Sequence, residues 1–386
     1  MLIASILNFL SFLDTNLIIP VIALYASTLG ANPAMIGIII GLYSITNTPA
    51  NIISGRWIDR TGYKLPLIVG LVGSATSMFA YSLTKLPIHL ALVRITHGFC
   101  GGLKSPAIMS AFTKYSDESH SGKTMAFYGI SLATANLVGF SLSGVIVSRL
   151  GYNSLFFFGT IVLAIGVLMV LLLPKAKSPE KSFLMTSYKD DFQKVKDLLR
   201  KRGLFTSYSS IFAQYFAFGG VVTLLPLYIK SLGMDAFHVG MLLTMFTIIF
   251  ISLQFPSGSI SDRIGRFKMI SAGLILGTIS LTLLPFVTAF PVLLITMALY
   301  GAAFGILFPS VSALIADYTK PEERGMATGV FHSFLTAGVA IGAPIMGGIG
   351  SLVGIKTALT LCPIILVIAL LITERISYRP KYLKDQ

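Results

Sequence analysis

Four ionisable side chains lie in stretches that are otherwise apolar. Asp14 lies about midway along the first such stretch, and Arg94, His97 and Lys104 lie in the fourth. Positions 94, 97, 101 and 104 are separated by 3, 4 and 3 residues, so the three basic side chains share one face of a helix. Burial disfavours the charged form of a carboxyl, whereas a nearby cation favours it. Such a carboxyl can exchange a proton or compete with a bound anion for the cation.

Each of these residues also has a structural interpretation. Asp14 can form a permanent ion pair, and His97 can be a hydrogen-bonded interior histidine. Lys104, nearer one end of its helix, can extend to the membrane surface. Arg94 is the best functional candidate of the three bases, because a cation at the centre of a bilayer costs roughly 3 kcal/mol or more unless it faces a partner or water.

The elements that must position these residues are membrane helices. The chain has 386 residues, of which 54% are hydrophobic and 11% are charged, whereas soluble domains carry roughly 25% charged residues. This composition argues against a soluble enzyme.

The net charge of +14 comes from basic residues that lie between apolar runs, which does not favour nucleic acid as a partner. Cys100 and Cys362 both lie in apolar runs, so neither a disulfide framework nor a zinc site is indicated.

Twelve segments are apolar over the length of about 20 residues that crosses a bilayer. They are centred within residues 2–28, 34–54, 65–84, 87–112, 123–147, 152–173, 204–230, 236–257, 267–288, 291–315, 325–349 and 353–373. The loops on one side contain four basic residues, Lys85, Arg149, Lys230 and Lys356. All other loop cations lie on the side of the termini. Because Lys and Arg concentrate in cytoplasmic loops, we predict a multi-pass protein of a prokaryotic cytoplasmic membrane with both termini in the cytoplasm.

The predicted domains are two helical bundles, residues 1–174 and 203–373, joined by a cytoplasmic linker, 175–202, and followed by a cytoplasmic tail, 374–386. In the linker, apolar residues recur at steps of 4, 4, 3 and 4, which is typical of an amphipathic helix: Leu184, Tyr188, Phe192, Val195 and Leu199. A basic amphipathic helix beside a membrane is expected to lie on the anionic lipid surface. Binding of a partner protein is the alternative.

The two halves of the chain are related by a shift of 203 residues without a gap. For example, Asp59 corresponds to Asp262 and Gly98 corresponds to Gly301. Each copy contains six helices, an even number, so both enter the membrane in the same direction as parallel repeats. A site is then expected between the halves, near the middle of the membrane. The four ionisable residues correspond to uncharged ones, which indicates that the shared architecture does not require them: Asp14 to Ala217, Arg94 to Met297, His97 to Tyr300 and Lys104 to Leu307.

The loop after the second helix carries a Gly-x-x-x-Asp-Arg-x-Gly pattern that starts at Gly55, and its copy after the eighth helix starts at Gly258. This pattern resembles the signature loop of the major facilitator superfamily, and the resemblance covers almost the whole chain. It implies an all-α integral membrane fold of twelve helices in two six-helix bundles, and secondary active transport by alternating access. It also implies a cytoplasmic gate that holds the halves together, formed by Gly55, Asp59, Arg60, Gly258, Asp262 and Arg263.

The glycines of this loop are expected to let the second helix approach a neighbouring helix closely. The alternative to gating is a basic cytoplasmic turn that only sets the topology. Positive-inside bias does not require an acid at 59 or 262, so we favour the gate.

Three further stretches resemble the drug/proton antiporter branch of the superfamily. They are Asp14 to Pro20 in the first helix, Arg94-x-x-x-Gly98-x-x-x-Gly102 in the fourth, with His97 where Gln is more usual, and Gly338 to Gly348 in helix 11. The family has this last motif in helix 5. The resemblance implies proton-coupled efflux of a small amphiphilic or drug-like molecule, with Asp14 carrying the proton and Arg94 tuning its affinity. The alternative is proton-coupled or facilitative uptake of an organic anion, because two cations against one acid leave the site cationic.

Other polar residues of the predicted helices are candidate substrate contacts, although each alone is more often a helix-to-helix hydrogen bond. With His97 and Lys104, they are Asn47, Tyr128, Asn136, Gln214, Tyr300 and His332. The sequence has no Walker loop after a strand, no metal-ligand cluster and no nucleophile triad, so no cofactor, metal or enzymatic activity is expected. The expected partners are a small-molecule substrate, protons and the lipid bilayer, and the chain is expected to act as a monomer.

Overall fold

The computed structural model describes residues 2–113, 121–173 and 188–377, whose regular secondary structure is helical. The helices of the first half are α1 (Leu2–Ile18), α2 (Ile22–Thr28), α3 (Pro33–Thr61), α4 (Lys64–Tyr81), α5 (Pro87–Thr113) and α6 (Ser121–Leu171). Then follow α7 (Tyr188–Arg200), α8 (Arg202–Ser231), α9 (Ala236–Ile264), α10 (Arg266–Leu283), α11 (Phe290–Asp317), α12 (Arg324–Val353), α13 (Ile355–Leu361) and α14 (Ile364–Ser377).

The described helices account for the twelve predicted membrane crossings. Nine are long and apolar enough to cross a membrane, and the pair α1 and α2, bent by 44° at its break, makes ten. Helix α6 changes direction at Gly151, whose φ is 82°, and so provides two crossings. Helix α5 is 27 residues long, which is enough to cross a membrane, but Arg94, His97 and Lys104 make it less apolar than its repeat counterpart α11.

Glycines end the helices at equivalent places in both halves. The described residues with positive φ are all glycines, and they form three pairs at the shift of 203 residues: Gly30 with Gly233, Gly62 with Gly265, and Gly151 with Gly354. A glycine reaches this conformation without the steric cost of a side chain. The break between α1 and α2 has a different cause, because Pro20 has no amide hydrogen and disfavours a helical residue before it.

The chain divides into two compact units. The first contains Met1–Phe183, Val222–Thr244 and Ala343–Ile355, and the second contains Leu184–Val221, Met245–Gly342 and Lys356–Gln386. Segments of α8, α9 and α12 therefore pack with the first half of the chain. These segments lie at the end of the membrane helices opposite the basic loops, which we call the distal end. The predicted domain boundaries at 174, 203 and 373 follow the repeat rather than this packing, and they stay predictions.

Glycines allow two close helix crossings within the first unit at the distal end, α3 with α12 and α6 with α9. A Cβ atom on Gly37 of α3 would lie 2.2 Å from the carbonyl oxygen of Ala343, and one on Gly347 would lie 3.1 Å from the Cα of Gly37. A Cβ on Gly144 of α6 would likewise lie 3.2 Å from the Cα of Gly240 in α9. Residues 37 and 240, and also 144 and 347, are repeat counterparts, so the same crossing is made twice.

The helix α7 covers the part of the predicted linker that is described, and Leu198 on it is buried. Lys201, just after α7, forms an ion pair of 2.7 Å with Glu323, which lies before α12. Residues 174–187, with Leu184, and the tail from 378 onward lie outside the described residues. The position of α7 on a lipid surface stays a prediction.

Candidate functional site

Glycines on α5 bring the candidate site together by letting α5 pack against α3 and α4. A Cβ on Gly98 would lie 2.4 Å from the carbonyl oxygen of Tyr43, and one on Gly102 would lie 2.4 Å from that of Asn47. On α4, a Cβ on Gly70 would lie 2.8 Å from the backbone nitrogen of Lys104. These positions therefore set the distance at which side chains of α5 meet the neighbouring helices.

Asp14 of α1 is fully buried and is held by two bases of α5. The ammonium group of Lys104 donates a hydrogen bond to Oδ2 of Asp14, and Nε2 of His97 lies 3.0 Å from the same oxygen. Lys104 is 1% exposed, so its side chain turns inward and does not extend to the membrane surface. A charge pair inside a protein is stable when hydrogen bonds compensate for the lost hydration.

The second oxygen of Asp14 faces the hydroxyl group of Thr15, which donates to Oδ1 at 3.3 Å. The same hydroxyl lies 3.0 Å from the hydroxyl of Tyr43 on α3. The other ring nitrogen of His97, Nδ1, lies 2.9 Å from the hydroxyl of Tyr81. Four helices, α1, α3, α4 and α5, thus contribute to one connected cluster, which we call the Asp14 cluster.

Arg94 joins this cluster through Tyr43 rather than through Asp14. Its Nε donates to the carbonyl oxygen of Ile39 at 3.3 Å, and its guanidinium carbon lies 4.6 Å from the ring centre of Tyr43. Among the described residues, Arg94 forms no ion pair with Asp14, and its buried Nη1 has no hydrogen-bond partner. The cations that directly contact Asp14 are therefore Lys104 and, when protonated, His97. The expectation that Arg94 tunes the proton affinity of Asp14 stays a prediction.

Thr15 and Tyr81 were missed by the sequence reasoning, and Tyr43 was not among its site residues. A signal was available in the repeat, because the counterparts of these three polar residues are Phe218, Leu284 and Phe246. The comparison between halves that singled out the charged residues would also have found them.

A comparison with protein-family models gives the family of this chain. The model described as Major Facilitator Superfamily matches residues 4–237 and 208–384. The chain belongs to the major facilitator superfamily.

Two curated relatives match this superfamily member over most of its length. Multidrug resistance protein 2 of Bacillus subtilis is 24% identical over 352 residues, which cover 88% of this chain and 86% of the relative. The Staphylopine export protein of Staphylococcus aureus is 25% identical over 384 residues, which cover 94% of this chain and 93% of the relative.

Solved structures share the fold of this superfamily member. The nucleoside transporter NupG superposes with a TM-score of 0.82 at 16% identity, over 98% of this chain and 99% of that one. A bacterial homologue of the human lysosomal transporter Spinster, inward-facing and unoccupied, gives a TM-score of 0.80 at 13% identity, over 97% and 96%. The predicted fold class is confirmed: an all-α integral membrane protein of the major facilitator superfamily.

Three of the predicted substrate contacts in the first half of this transporter take part in helix-to-helix contacts. The Nδ2 of Asn47 donates to the carbonyl oxygen of Gly98 at 3.3 Å, and the Oδ1 of Asn136 accepts from Asn16 at 2.7 Å. The ring of Tyr128 packs edge-on against Phe112, with 5.4 Å between ring centres. The structure does not bring Asn136 or Tyr128 into the Asp14 cluster, so their contact with a substrate stays a prediction.

The predicted contacts in the second half of the transporter have different surroundings. Gln214 and Tyr300 are buried, and among the described residues neither the amide atoms of Gln214 nor the hydroxyl of Tyr300 has a hydrogen-bond partner. Tyr300 packs on Phe246 and Phe304, with ring centres 5.5 and 5.3 Å apart. His332 is exposed on α12 beside Phe331. Their contact with a substrate also stays a prediction.

The two copies of the predicted gate differ in their ion pairs. Asp262 pairs with Arg266 at 2.5 Å, and Arg266 also pairs with Asp317 at 3.2 Å. Asp59 is exposed, and within residues 2–113, 121–173 and 188–377 it forms no ion pair. Arg60 and Arg263 are exposed as well. The gating role of both copies stays a prediction.

The expected close packing at Gly55 is wrong for the described residues. A Cβ on Gly55 would meet nothing within 4 Å, and one on Gly258 would have a single contact at 3.8 Å, an ordinary distance. The close approach of α3 to α5 is made instead at glycines of α5, Gly98 and Gly102. A glycine on one helix suffices for such an approach, so Gly55 is not needed for it.

Proposed function

We propose that this transporter exports a small amphiphilic molecule in exchange for protons, with Asp14 as the group that carries the proton. The observation that carries this proposal is the burial of Asp14 between Lys104 and His97, at positions where the second repeat has Ala217, Leu307 and Tyr300. A repeat that folds without these charges does not need them for its architecture. The charged residues of the first repeat are therefore available for proton exchange.

The chemistry of the Asp14 cluster suits coupling. When Asp14 binds a proton, Lys104 loses its anionic partner, and the buried ammonium is left uncompensated. Electrostatic interactions in such a dehydrated site are much stronger than in water. Protonation therefore changes the relative stability of conformations that expose the cluster to different sides, which is what coupling by alternating access requires.

The direction of transport is proposed from the relatives and from the topology. Two relatives have names that describe drug resistance or export, the Multidrug resistance protein 2 and the Staphylopine export protein. The concentration of Lys and Arg in the loops on the side of the termini supports a cytoplasmic location for both termini. The distal end would then be the outer face, and the crossings at Gly37 and Gly240 would close that face in this conformation.

The test is transport of ethidium, a lipophilic cation, into or out of proteoliposomes with and without an imposed pH gradient. Asp14→Asn keeps the size and hydrogen bonding but removes the titration. We expect gradient-driven transport to fall by about 100-fold, a typical contribution of a proton-transferring group, while exchange at equal pH persists. Asp235→Asn is the matched control, because it removes the same charge from an exposed acid beside His238. Undiminished gradient-driven transport in Asp14→Asn would exclude Asp14 from the mechanism.

A second candidate function is favoured by the unpaired nitrogen of Arg94. The Asp14 cluster contains the cations Lys104 and Arg94 and one acid, and Nη1 of Arg94 is buried without a protein partner in the described part of the chain. A buried guanidinium nitrogen of this kind suits an anionic group. This favours proton-coupled or facilitative uptake of an organic anion.

The two candidates predict opposite charge preferences. If the anion is the substrate, Arg94→Ala will weaken binding of anionic dyes such as fluorescein far more than binding of neutral ones. Met297→Ala, at the repeat counterpart, will change packing but not the charge preference. If the purified protein binds ethidium best and Arg94→Ala leaves that preference unchanged, the anion candidate is wrong.

A further inference from the structure

The imidazole ring of His97 lies between two groups that can hold a proton. Its Nε2 is 3.0 Å from Oδ2 of Asp14, and its Nδ1 is 2.9 Å from the hydroxyl of Tyr81. All three side chains are fully buried. Tyr81 is the last residue of α4, at the distal end of that helix. The ring therefore connects the carboxyl group on α1 with a hydroxyl group nearer the distal end.

The neighbours of His97 hold the ring in an orientation that uses both nitrogens. Tyr43 and Tyr81 pack edge-on against the imidazole, with ring centres 5.3 and 5.6 Å away. The titratable and charged groups that face the ring are Asp14 from α1, Tyr43 from α3, Tyr81 from α4, and Arg94 and Lys104 from α5. Among them, Asp14 and Tyr81 are at hydrogen-bond distance from the two ring nitrogens.

We propose that His97 relays protons between Tyr81 and Asp14, an inference that rests on the proposed proton coupling. Water at the distal face supplies the proton as hydronium. That proton binds the Tyr81 hydroxyl oxygen, and the original hydroxyl proton forms a new N–H bond at Nδ1 of His97. The N–H bond at Nε2 then breaks, and its proton forms an O–H bond at Oδ2 of Asp14. The carboxylate becomes neutral, one water remains from the hydronium, and His97 is left as the neutral Nδ1–H tautomer.

Imidazole is suited to this transfer because one ring nitrogen can accept a proton while the other releases one. In this conformation Tyr81 is fully buried, so the relay ends at its hydroxyl group. The relay then gains access to water only when the side chains that cover Tyr81, Phe156 among them, move aside. Asp14 therefore receives protons from the distal face alone. If water reached the carboxyl directly, protons could arrive from either face.

The test measures how fast Asp14 takes up a proton, without any transported substrate. Purified protein in lipid is exposed to a rapid drop in pH, and the carboxyl C=O band that Asp14→Asn removes is followed by time-resolved infrared spectroscopy. His97→Gln keeps hydrogen bonding but cannot accept and release a proton on different atoms. Tyr81→Phe removes only the hydroxyl. We expect both variants to slow the appearance of the band by about 10-fold or more, with unchanged final amplitude.

Tyr208→Phe is the control, because Tyr208 is also fully buried and its hydroxyl donates to the carbonyl oxygen of Ala327, which is not part of the Asp14 cluster. It should leave the rate unchanged. A merely structural His97 would alter the final amplitude or the thermal stability but not the rate alone. A wild-type rate in His97→Gln, or in Tyr81→Phe if the first variant does not fold, overturns the relay. Undiminished gradient-driven ethidium transport in Asp14→Asn overturns the proposed function instead, so the two failures are distinguishable.

Discussion

The same backbone positions carry a charged cluster in the first repeat and an aromatic cluster in the second. The counterparts of Asp14 and Lys104 are Ala217 and Leu307, which are both fully buried. Around them, Phe246 lies 5.6 Å from Phe218 and 5.1 Å from Phe304, between ring centres. One copy of the fold thus buries an ion pair where the other buries an alanine and a leucine beside packed rings.

What the two copies share is the approach of helices rather than the chemistry of side chains. A Cβ on Gly98 would lie 2.4 Å from the carbonyl oxygen of Tyr43, and one on its counterpart Gly301 would lie 2.2 Å from that of Phe246. The space next to these contacts is filled differently. Gly101 leaves room for the hydroxyl of Tyr43, because a Cβ on Gly101 would lie 2.4 Å from that hydroxyl. Its counterpart in the second repeat, Phe304, fills the equivalent space with its own ring, which packs on Phe246. The duplicated glycines set the scaffold, and the unshared residues are free to serve function.

The largest effect should come from converting one half of the ion pair to its counterpart. Lys104→Leu leaves Asp14 buried without its ammonium partner, so we expect a loss of about 3–5 kcal/mol in the free energy of unfolding. Replacing both partners, Asp14→Ala with Lys104→Leu, should restore most of that stability, because the charges are removed together. Chemical unfolding of the purified protein in detergent measures both values.

Leu307→Met is the control in the second repeat, and it should change stability by less than about 1.5 kcal/mol. If the double variant is no more stable than Lys104→Leu, the charged cluster is not a replaceable insertion in a shared scaffold. The double variant is also expected to remain inactive in gradient-driven transport, since it contains no Asp14.

The aromatic cluster should respond to loss of its central ring. The ring of Phe304 packs against the rings of Tyr215, Phe218, Phe246, Phe250 and Tyr300. Phe304→Ala should therefore lower the free energy of unfolding by about 3 kcal/mol. Phe255→Ala is the control, because that ring is 86% exposed. A change in the charge preference of transport in Phe304→Ala would show that the aromatic cluster has more than a packing role.

The two copies of the gate sequence should respond unequally. Asp262→Asn breaks the pair with Arg266, which is itself held by Asp317. Asp59→Asn breaks no pair among the described residues. If both acids hold the cytoplasmic side closed, both variants will increase labelling of cysteines placed at the cytoplasmic helix ends. The increase for Asp262→Asn should be the larger, by about 5-fold at most, since exposed ion pairs contribute about 1 kcal/mol or less. Equal labelling in the wild type and both variants would show that the loop sets the membrane topology but does not act as a gate.

The smallest effect concerns the ion pair between Lys201, at the end of the linker, and Glu323 of the second repeat. The hydrogen bond from Lys201 lowers the pKa of Glu323 below its usual value. The stabilisation is therefore fully present above the usual glutamate pKa and is lost as the pH falls through the lowered one. Hydrogen exchange of the amides in 193–202, corrected for intrinsic rates, should become faster below that range. Lys201→Met should remove this pH dependence, and a pH dependence that survives in Lys201→Met would assign it to other groups.

Much of the fold was predictable because membrane helices depend on local properties. Length, apolarity and the positions of glycine and proline predicted the crossings, and the pairs Gly62 with Gly265 and Gly151 with Gly354 end helices as the repeat indicates. The bend between α1 and α2 and the lower apolarity of α5 compared with α11 follow equally from residues near in sequence. The repeat served as an internal control that separated shared architecture from unshared chemistry.

By itself, the sequence indicated that Asp14, Arg94 and His97 face the interior of an all-helical membrane protein, since charges in apolar helices have few alternatives. It left open whether Lys104 extends to the membrane surface. Only the tertiary structure decided which base contacts Asp14. Helical spacing places Arg94, His97 and Lys104 on one face, but the depth at which α5 packs on α3 and α4 depends on backbone contacts at Gly98 and Gly70. That depth brings Lys104 and His97 to the carboxyl and leaves Arg94 beside Tyr43, because contacts between helices set the distances of a site whereas spacing along one helix sets only its direction.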